Sequence, residues 1–287
     1  MPLAMAALCG LALVVGGCNP DDASILRPNG SIGLAERDIL FRAFAIMMIV
    51  VVPVFVMAAL FAWRYRASNA KARYDPDWMS GKVDAVVWAV PAVIVLSLGI
   101  HVWIFTHELD PYKAVDPATK PLEVEVVAQD WKWLFIYPEQ GIAAVNELAF
   151  PSKAPLSLKI TSDTVMNSFF IPGLGGQIYA MAGMQTQLNL LAEEPGRFVG
   201  RNTQYSGAGF PEQKFEAIAM SEGDFDAWVE KAKQSGETLD ADAYQALAKP
   251  SIDHPVAYYA TVEPGLFGRI IAKYDSGMVG AAALAAE

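Results

Sequence analysis

No cysteine follows residue 18, and the 287 residues contain only three histidines, His101, His107 and His254. With Cys9 and Cys18 confined to the start, the bulk of the chain has no disulfide, no thiolate nucleophile and no thiolate metal ligand. Searches for H-E-x-x-H, C-x-x-C, a phosphate-binding glycine loop or a nucleophile with a histidine base find nothing. G-L-G-G at 173–176 follows a proline and opens no helix, so it reads as a turn. Charge is also scarce: 18% of residues are charged against 54% apolar, more apolar than an ordinary globular domain. The length allows about two structural units at roughly 100–200 residues each.

The apolar excess is concentrated in three blocks before residue 107. The first, residues 5–18, is too short to span a bilayer and fits the apolar core of a signal peptide. It ends in Gly16 and Gly17 directly before Cys18. That pattern resembles a bacterial lipobox, in which the leader is removed and the cysteine becomes the lipidated first residue. The alternative is an apolar leader with a chance cysteine. No Lys or Arg precedes the block, a departure from the usual basic leader that leaves the true translation start open.

The second and third blocks run from Ala43 to Trp63 and from Ala85 to Thr106, each without a charge. At 1.5 Å per residue each covers about 31–33 Å, the thickness of a hydrocarbon core. Pro53 and Pro91 are tolerated in such helices. The connection carries Arg64, Arg66, Lys71, Arg73 and Lys82, the densest basic stretch of the chain, and the positive-inside rule places it in the cytoplasm. Both outer ends of the hairpin then face the periplasm, which agrees with an exported, lipidated N-terminus. Trp63, Tyr65, Trp88 and Trp103 suit interfacial aromatic belts. His101 lies inside the third block, where a polar residue is a functional candidate. Its closeness to the outer end favours snorkelling or a helix contact.

From His107 onward 13 basic and 24 acidic residues give a net charge of −11. Such a surface repels nucleic acid. It could attract a basic partner, although solubility alone accounts for it. From Pro121 the period changes to two. P-L-E-V-E-V-V-A puts Leu122, Val124 and Val126 on one face and Glu123 and Glu125 on the other, a half-buried strand. W-K-W-L-F-I-Y, P-L-S-L-K-I-T, M-N-S-F-F-I-P, T-Q-L-N-L-L, R-F-V-G-R-N and F-E-A-I-A-M follow as short strands with turn signals between them, the pattern of a sandwich or barrel. Trp131 and Trp133 alternate on one of these strands and should face the same side. After Met220, Phe225, Trp228, Val229 and Ala232 recur at helical spacing behind acidic Glu222, Asp224 and Asp226. A second short helix is predicted at 240–248. The stretch from Pro255 reads as aromatic-containing and irregular, and the tail as frayed.

The fold class expected is therefore membrane-anchored all-β: a two-helix transmembrane hairpin, then a β-sandwich, then a C-terminal helical, aromatic-containing segment. The divisions are 1–17 signal peptide, 18–38 extracytoplasmic segment, 39–107 hairpin with a cytoplasmic loop near 64–83, 120–221 sandwich, 222–273 C-terminal segment and 274–287 tail.

This architecture resembles subunit II of haem-copper oxidases. R-Y-R-A-S-N, K-V-D-A-V-V-W-A-V-P, D-W-K-W-L-F-I-Y-P-E-Q-G-I, V-M-N-S-F-F-I-P, Q-I-Y-A-M-A-G-M-Q-T and Y-S-G-A-G-F narrow the resemblance to the quinol-oxidase branch, the cytochrome o ubiquinol oxidase subunit II, over about residues 18–272. The resemblance implies a cupredoxin-like sandwich. Relatives that oxidise cytochrome c carry a binuclear copper site there, with ligands in segments of form H-S-F-x-x-P and C-S-E-x-C-x-x-x-H-x-x-M. On this chain the first His position holds Asn167, the Cys positions Tyr205 and Gly209, the Glu position Gly207, the second His position Gln213 and the Met position Glu216. Every ligand side chain is replaced. Composition agrees without alignment, because thiolates hold soft copper sites and no cysteine follows residue 18.

The resemblance further implies no cofactor in this chain, with haems and copper in a partner subunit I and quinol as the substrate of the complex. The other partners it implies are further oxidase subunits and the bacterial inner membrane. Asp84 falls near a family carboxylate at the mouth of a proton pathway, where Glu is usual. Alternatively, it is a first-turn acid that stabilises a helix N-terminus by about 0.3–1 kcal/mol. Trp131 and Trp133 are read as packing, and Met181 and Met184 as adaptable filler. Two other functions stay open at this point: a stand-alone periplasmic lipoprotein that binds a partner, and a copper-bearing cytochrome c oxidase subunit.

Overall fold

A computed structural model describes residues 24–72 and 80–274. The signal segment, Cys18 and the tail beyond 274 lie outside the described residues. The chain divides into two compact units, a helix hairpin from Glu36 to Asp110 and a unit built from the segments on either side of it.

The hairpin consists of α1 (Ser31–Arg64) and α2 (Gly81–Glu108), which enclose the two uncharged runs. Both are long and apolar enough to cross a membrane. Satisfying every backbone group internally is what allows such segments to leave water. The guanidinium carbon of Arg42 on α1 lies 5.8 Å from the Phe105 ring centroid on α2, so the two helices meet near the C-terminal end of α2.

The second unit is a sandwich. One sheet has the order β12-β3-β2-β1-β5-β8 and the other β4-β10-β9-β6-β7. In chain order the strands are β1 (Leu122–Gln129), β2 (Lys132–Tyr137), β3 (Ile142–Val145), β4 (Glu147–Pro151), β5 (Leu156–Ser162), β6 (Asn167–Phe170), β7 (Gln177–Ala180), β8 (Thr186–Leu190), β9 (Gly196–Asn202) and β10 (Lys214–Met220). Helix α3 (Glu222–Lys233), β11 (Thr238–Leu239), α4 (Ala241–Leu247), β12 (Ala257–Tyr259) and β13 (Thr261–Val262) follow. Alternate residues of the two sheets meet in the core. Trp133, Phe135, Phe169 and Phe215 form its aromatic centre, with Trp133 edge-on to Phe169 at 5.2 Å between centroids. Burying each such ring contributes about 1.5–3 kcal/mol.

Two expectations need correction. Strand β1 is not half-buried throughout: Val127 is as fully buried as Val126. A second core of Val127, Leu134, Ile136, Ala143 and Val145 lies on the opposite face, covered by Leu239, Tyr244, Leu247, Leu266, Phe267 and Ile270. Strands covered on both faces read as continuous apolar runs rather than alternations, which is why W-L-F-I carries no period. The stretch after Pro255 is likewise not irregular. It supplies β12, paired antiparallel with β3, and a helical segment over 266–274.

Helix α3 starts at Ser221, whose hydroxyl accepts from the Asp224 amide at 3.2 Å, and it buries Phe225, Trp228, Val229 and Ala232. Glu147 on β4 then accepts from both Trp228 Nε1 and Tyr258 Oη at 2.6 Å. Burial, followed by the neighbouring Glu147, raises the Tyr258 phenol pKa above its ordinary value. At the other edge the residues leading into α1 pack on the sandwich. Asn29 N donates to Gly173 O at 2.8 Å, and Gly33 N to Leu174 O at 3.2 Å. A Cβ at Gly30 would come within 2.3 Å of Leu191 O, so only glycine permits this approach.

Candidate functional site

Four connections gather at one end of the sandwich: the turn between β1 and β2, the β5–β6 and β7–β8 connections, and the long β9–β10 connection. Asn202, the last residue of β9, stands at their centre and is 4% exposed. Its Nδ2 lies 2.7 Å from Asn167 Oδ1, 2.8 Å from Gln213 Oε1 and 3.1 Å from Ser206 Oγ. Two hydrogens are shared among these three acceptors. Its Oδ1 accepts from the amides of Ser168 at 2.8 Å and Gln204 at 2.9 Å.

The neighbours are satisfied in turn. Asn167 Nδ2 donates to Val165 O at 2.8 Å, and Gln213 Nε2 to Gln129 O at 3.2 Å. Ser206 Oγ donates to Gln213 Oε1 at 2.9 Å. Asn167 and Gln213 are each 1% exposed, and a buried amide left unpaired would cost about 1–3 kcal/mol. The network is therefore closed: its carbonyl and amide groups are spent on one another and on adjacent backbone.

The six positions that the family resemblance equates with copper ligands divide into three groups. The structure brings Asn167 and Gln213 together through Asn202. Gly207 and Gly209 lie under the Trp131 indole, where a Cβ at Gly209 would come within 2.4 Å of the ring. Trp131 Nε1 donates to Ser206 O at 3.0 Å and fixes the ring over that loop. Tyr205 and Glu216 point away. Tyr205 is 72% exposed with its ring against Phe210, and Glu216 pairs with Arg197 at 2.8 Å. On β10 the inward side chain is Phe215, so its neighbour Glu216 faces outward.

Soft copper needs sulfur or imidazole donors. The converging groups here are amides and a hydroxyl already bonded to each other, so the residues do not fit a binuclear copper centre. Among the described residues no cluster of three or more His, Cys, Asp or Glu could hold a metal ion.

Trp131 and Trp133 do not share a face. Asp130 and Trp131 form the two-residue turn joining Gln129 to Lys132. Trp131 has φ 66° and its amide donates to Gln129 O. The turn resets the alternation, so Trp131 caps the loops while Trp133 enters the core.

Sequence reasoning missed Asn202. The available signal was an inward position on β9, in register with Phe198 and Gly200, occupied by an amide. It also missed two anchors of the C-terminal segment. The Lys132 ammonium is buried against Lys249 O and Ser251 Oγ, both at 2.8 Å, and desolvation lowers its pKa. Asp163 Oδ1 pairs with Lys273 at 2.7 Å, and Asp163 Oδ2 accepts from Tyr244 Oη at 2.8 Å. The bond to Asp163 raises the Lys273 pKa. Burial, reinforced by Asp163, raises that of the Tyr244 phenol.

Asp84 stands exposed in the first turn of α2, with its amide donating to Ser80 O at 3.0 Å.

Comparison with known proteins gives a consistent set of likenesses. The family described as "Cytochrome C oxidase subunit II, periplasmic domain" matches residues 93–214, and "COX Aromatic Rich Motif" matches 233–278. The chain is 52% identical over 264 residues to cytochrome bo(3) ubiquinol oxidase subunit 2 of Pseudomonas putida, covering 92% of this chain and 83% of that one. It is 52% identical over 271 residues to ubiquinol oxidase subunit 2 of Acetobacter aceti, covering 93% and 87%. It is 34% identical over 244 residues to quinol oxidase subunit 2 of Bacillus cereus, covering 84% of each.

Proposed function

This chain belongs to the family of ubiquinol oxidase subunit 2, and from that premise we propose that it is the copper-free subunit II of a proton-pumping quinol:oxygen oxidoreductase in the bacterial respiratory chain. Haems and copper belong to its partner subunit I, where quinol delivers its electrons. The present chain contributes no active site of its own. It supports the assembly and structure of subunit I from a membrane anchor.

The closed amide network around Asn202 carries this reading. It occupies the end of the sandwich where copper-bearing relatives bind metal, and it offers no group able to accept an electron. A soluble haem protein would find no relay there, so reducing equivalents must arrive by another route.

Three finer assignments follow from the same reading. The basic connection between α1 and α2 faces the cytoplasm, and Cys18 carries a lipid at the periplasmic surface. Asp84, exposed at the cytoplasmic start of α2, acts at the mouth of a proton pathway of subunit I.

Mild-detergent purification through a tag on this chain tests the proposal. A haem spectrum and quinol-driven oxygen uptake should co-purify with it, and metal analysis should find only the copper of subunit I. Recovery of the chain without a haem-bearing subunit, or with two additional coppers per complex, would contradict it.

A further inference from the structure

Among the described residues of the helix hairpin, Arg42 lacks an ion-pair partner and the His101 ring nitrogen Nε2 lacks a hydrogen bond. Arg42 lies on α1 one residue outside the uncharged run that begins at Ala43. Among the described residues it has no ion-pair partner, and its guanidinium faces the Phe105 ring at 5.8 Å. His101, one turn before Phe105 on α2, packs against the same ring with 5.0 Å between centroids. Its Nε2 is buried and makes no hydrogen bond. A guanidinium and an unsatisfied ring nitrogen thus both lie against one aromatic side chain, close to the C-terminal end of α2.

Each group on its own is unfavourable. A cation at the edge of the hydrocarbon calls for a counter-charge, and a buried nitrogen without a partner costs free energy. An anion with several acceptor oxygens satisfies both. The planar fork of arginine matches a phosphate with two parallel hydrogen bonds. Trp103, 69% exposed on the same stretch of α2, marks this level as the membrane interface, where lipid headgroups reside. A carboxylate from another subunit would have to be desolvated to reach this depth, whereas a lipid phosphate is already there.

We propose that Arg42 and His101 form a binding site for the phosphodiester of one anionic phospholipid, with Phe105 as its wall and the acyl chains on the apolar helix surface. Assigning the lipid to the periplasmic leaflet rests on the topology proposed above, but the site itself does not.

The test uses the whole oxidase, delipidated in mild detergent to constant phosphorus and titrated with phosphatidylglycerol under native mass spectrometry. The unaltered complex should retain one more phosphatidylglycerol than the Arg42→Leu complex. Affinity should fall at least about tenfold in both Arg42→Leu and His101→Leu and recover in part in Arg42→Lys, with haem content unchanged. Equal retention by the unaltered and Arg42→Leu complexes overturns the proposal. So does displacement of the lipid by inorganic phosphate, or an Arg42→Leu complex that keeps its lipid and loses a neighbouring subunit. Protease access to residues 64–72 in oriented vesicles reads the topology separately, so the two readings fail independently.

Discussion

At the scale of single residues, the end of the sandwich is governed by Asn202 and by the fit of Trp131 over glycine. Replacing Asn202 with Ala strips partners from Asn167 Oδ1 and from the amides of Ser168 and Gln204. The expected cost is about 2–4 kcal/mol, read as a lower denaturant midpoint for protease resistance of this subunit in the purified complex. Gly209→Ala drives a methyl into the Trp131 ring and should cost about 1–3 kcal/mol. In the Trp131→Ala background the same change should cost much less, and additive effects would show that the two do not touch. Asp84→Asn is expected to slow oxidase turnover several-fold with subunit composition unchanged. Unaltered turnover would leave Asp84 as no more than a helix-terminal acid.

At the scale of elements, the C-terminal segment is held to the sandwich by buried polar contacts as well as by the second core. Asp163 receives Lys273 and Tyr244 together. Both the Lys273 and the Tyr244 pKa values are raised in the folded protein. A group whose folded pKa lies above its unfolded value stabilises the fold below the unfolded pKa and loses that contribution as pH rises through the folded one. The contact should therefore hold up to about pH 10, the ordinary range of tyrosine and lysine, and weaken above it. Limited proteolysis near residues 266–274 should accelerate over that window. The acceleration should be smaller in Lys273→Gln, which has already lost the titrating ammonium.

These contacts also show what the sequence hides. Strands such as 156–162 and 214–220 were legible because one face meets the core and alternation survives. The two cores on either side of β2 and β3 leave no alternation there, and in β1 the alternation stops at Val126. The Asp130–Trp131 turn was invisible because its residues lie inside an apolar aromatic run without glycine. The positions equated with copper ligands could be named only through the family resemblance. What replaces the ligands could not be read at all, because Asn202 and Gln213 meet only after β9 and β10 pair, and Asp163 and Lys273 are 110 residues apart.

At the scale of the whole molecule, the chain combines a helix pair suited to a bilayer with a sandwich closed at one end by a network of amides. Adding copper to the purified complex should leave its visible and paramagnetic spectra those of subunit I alone. New binuclear copper bands would show that the Asn202 network opens to admit metal. Labelling single cysteines introduced at residues 67 and 115 in oriented vesicles should mark opposite sides of the membrane.

The pairing of β12 with β3 joins Ala257 to Val145, strands made far apart in time. At about 5–20 residues per second, roughly 6–22 seconds of synthesis separate them. Until β12 emerges, the β3 edge offers unpaired backbone to any passing chain. Truncating the protein before residue 250 should therefore yield aggregates rather than a smaller soluble domain, and the nascent subunit should need a holding factor until its final stretch has been delivered.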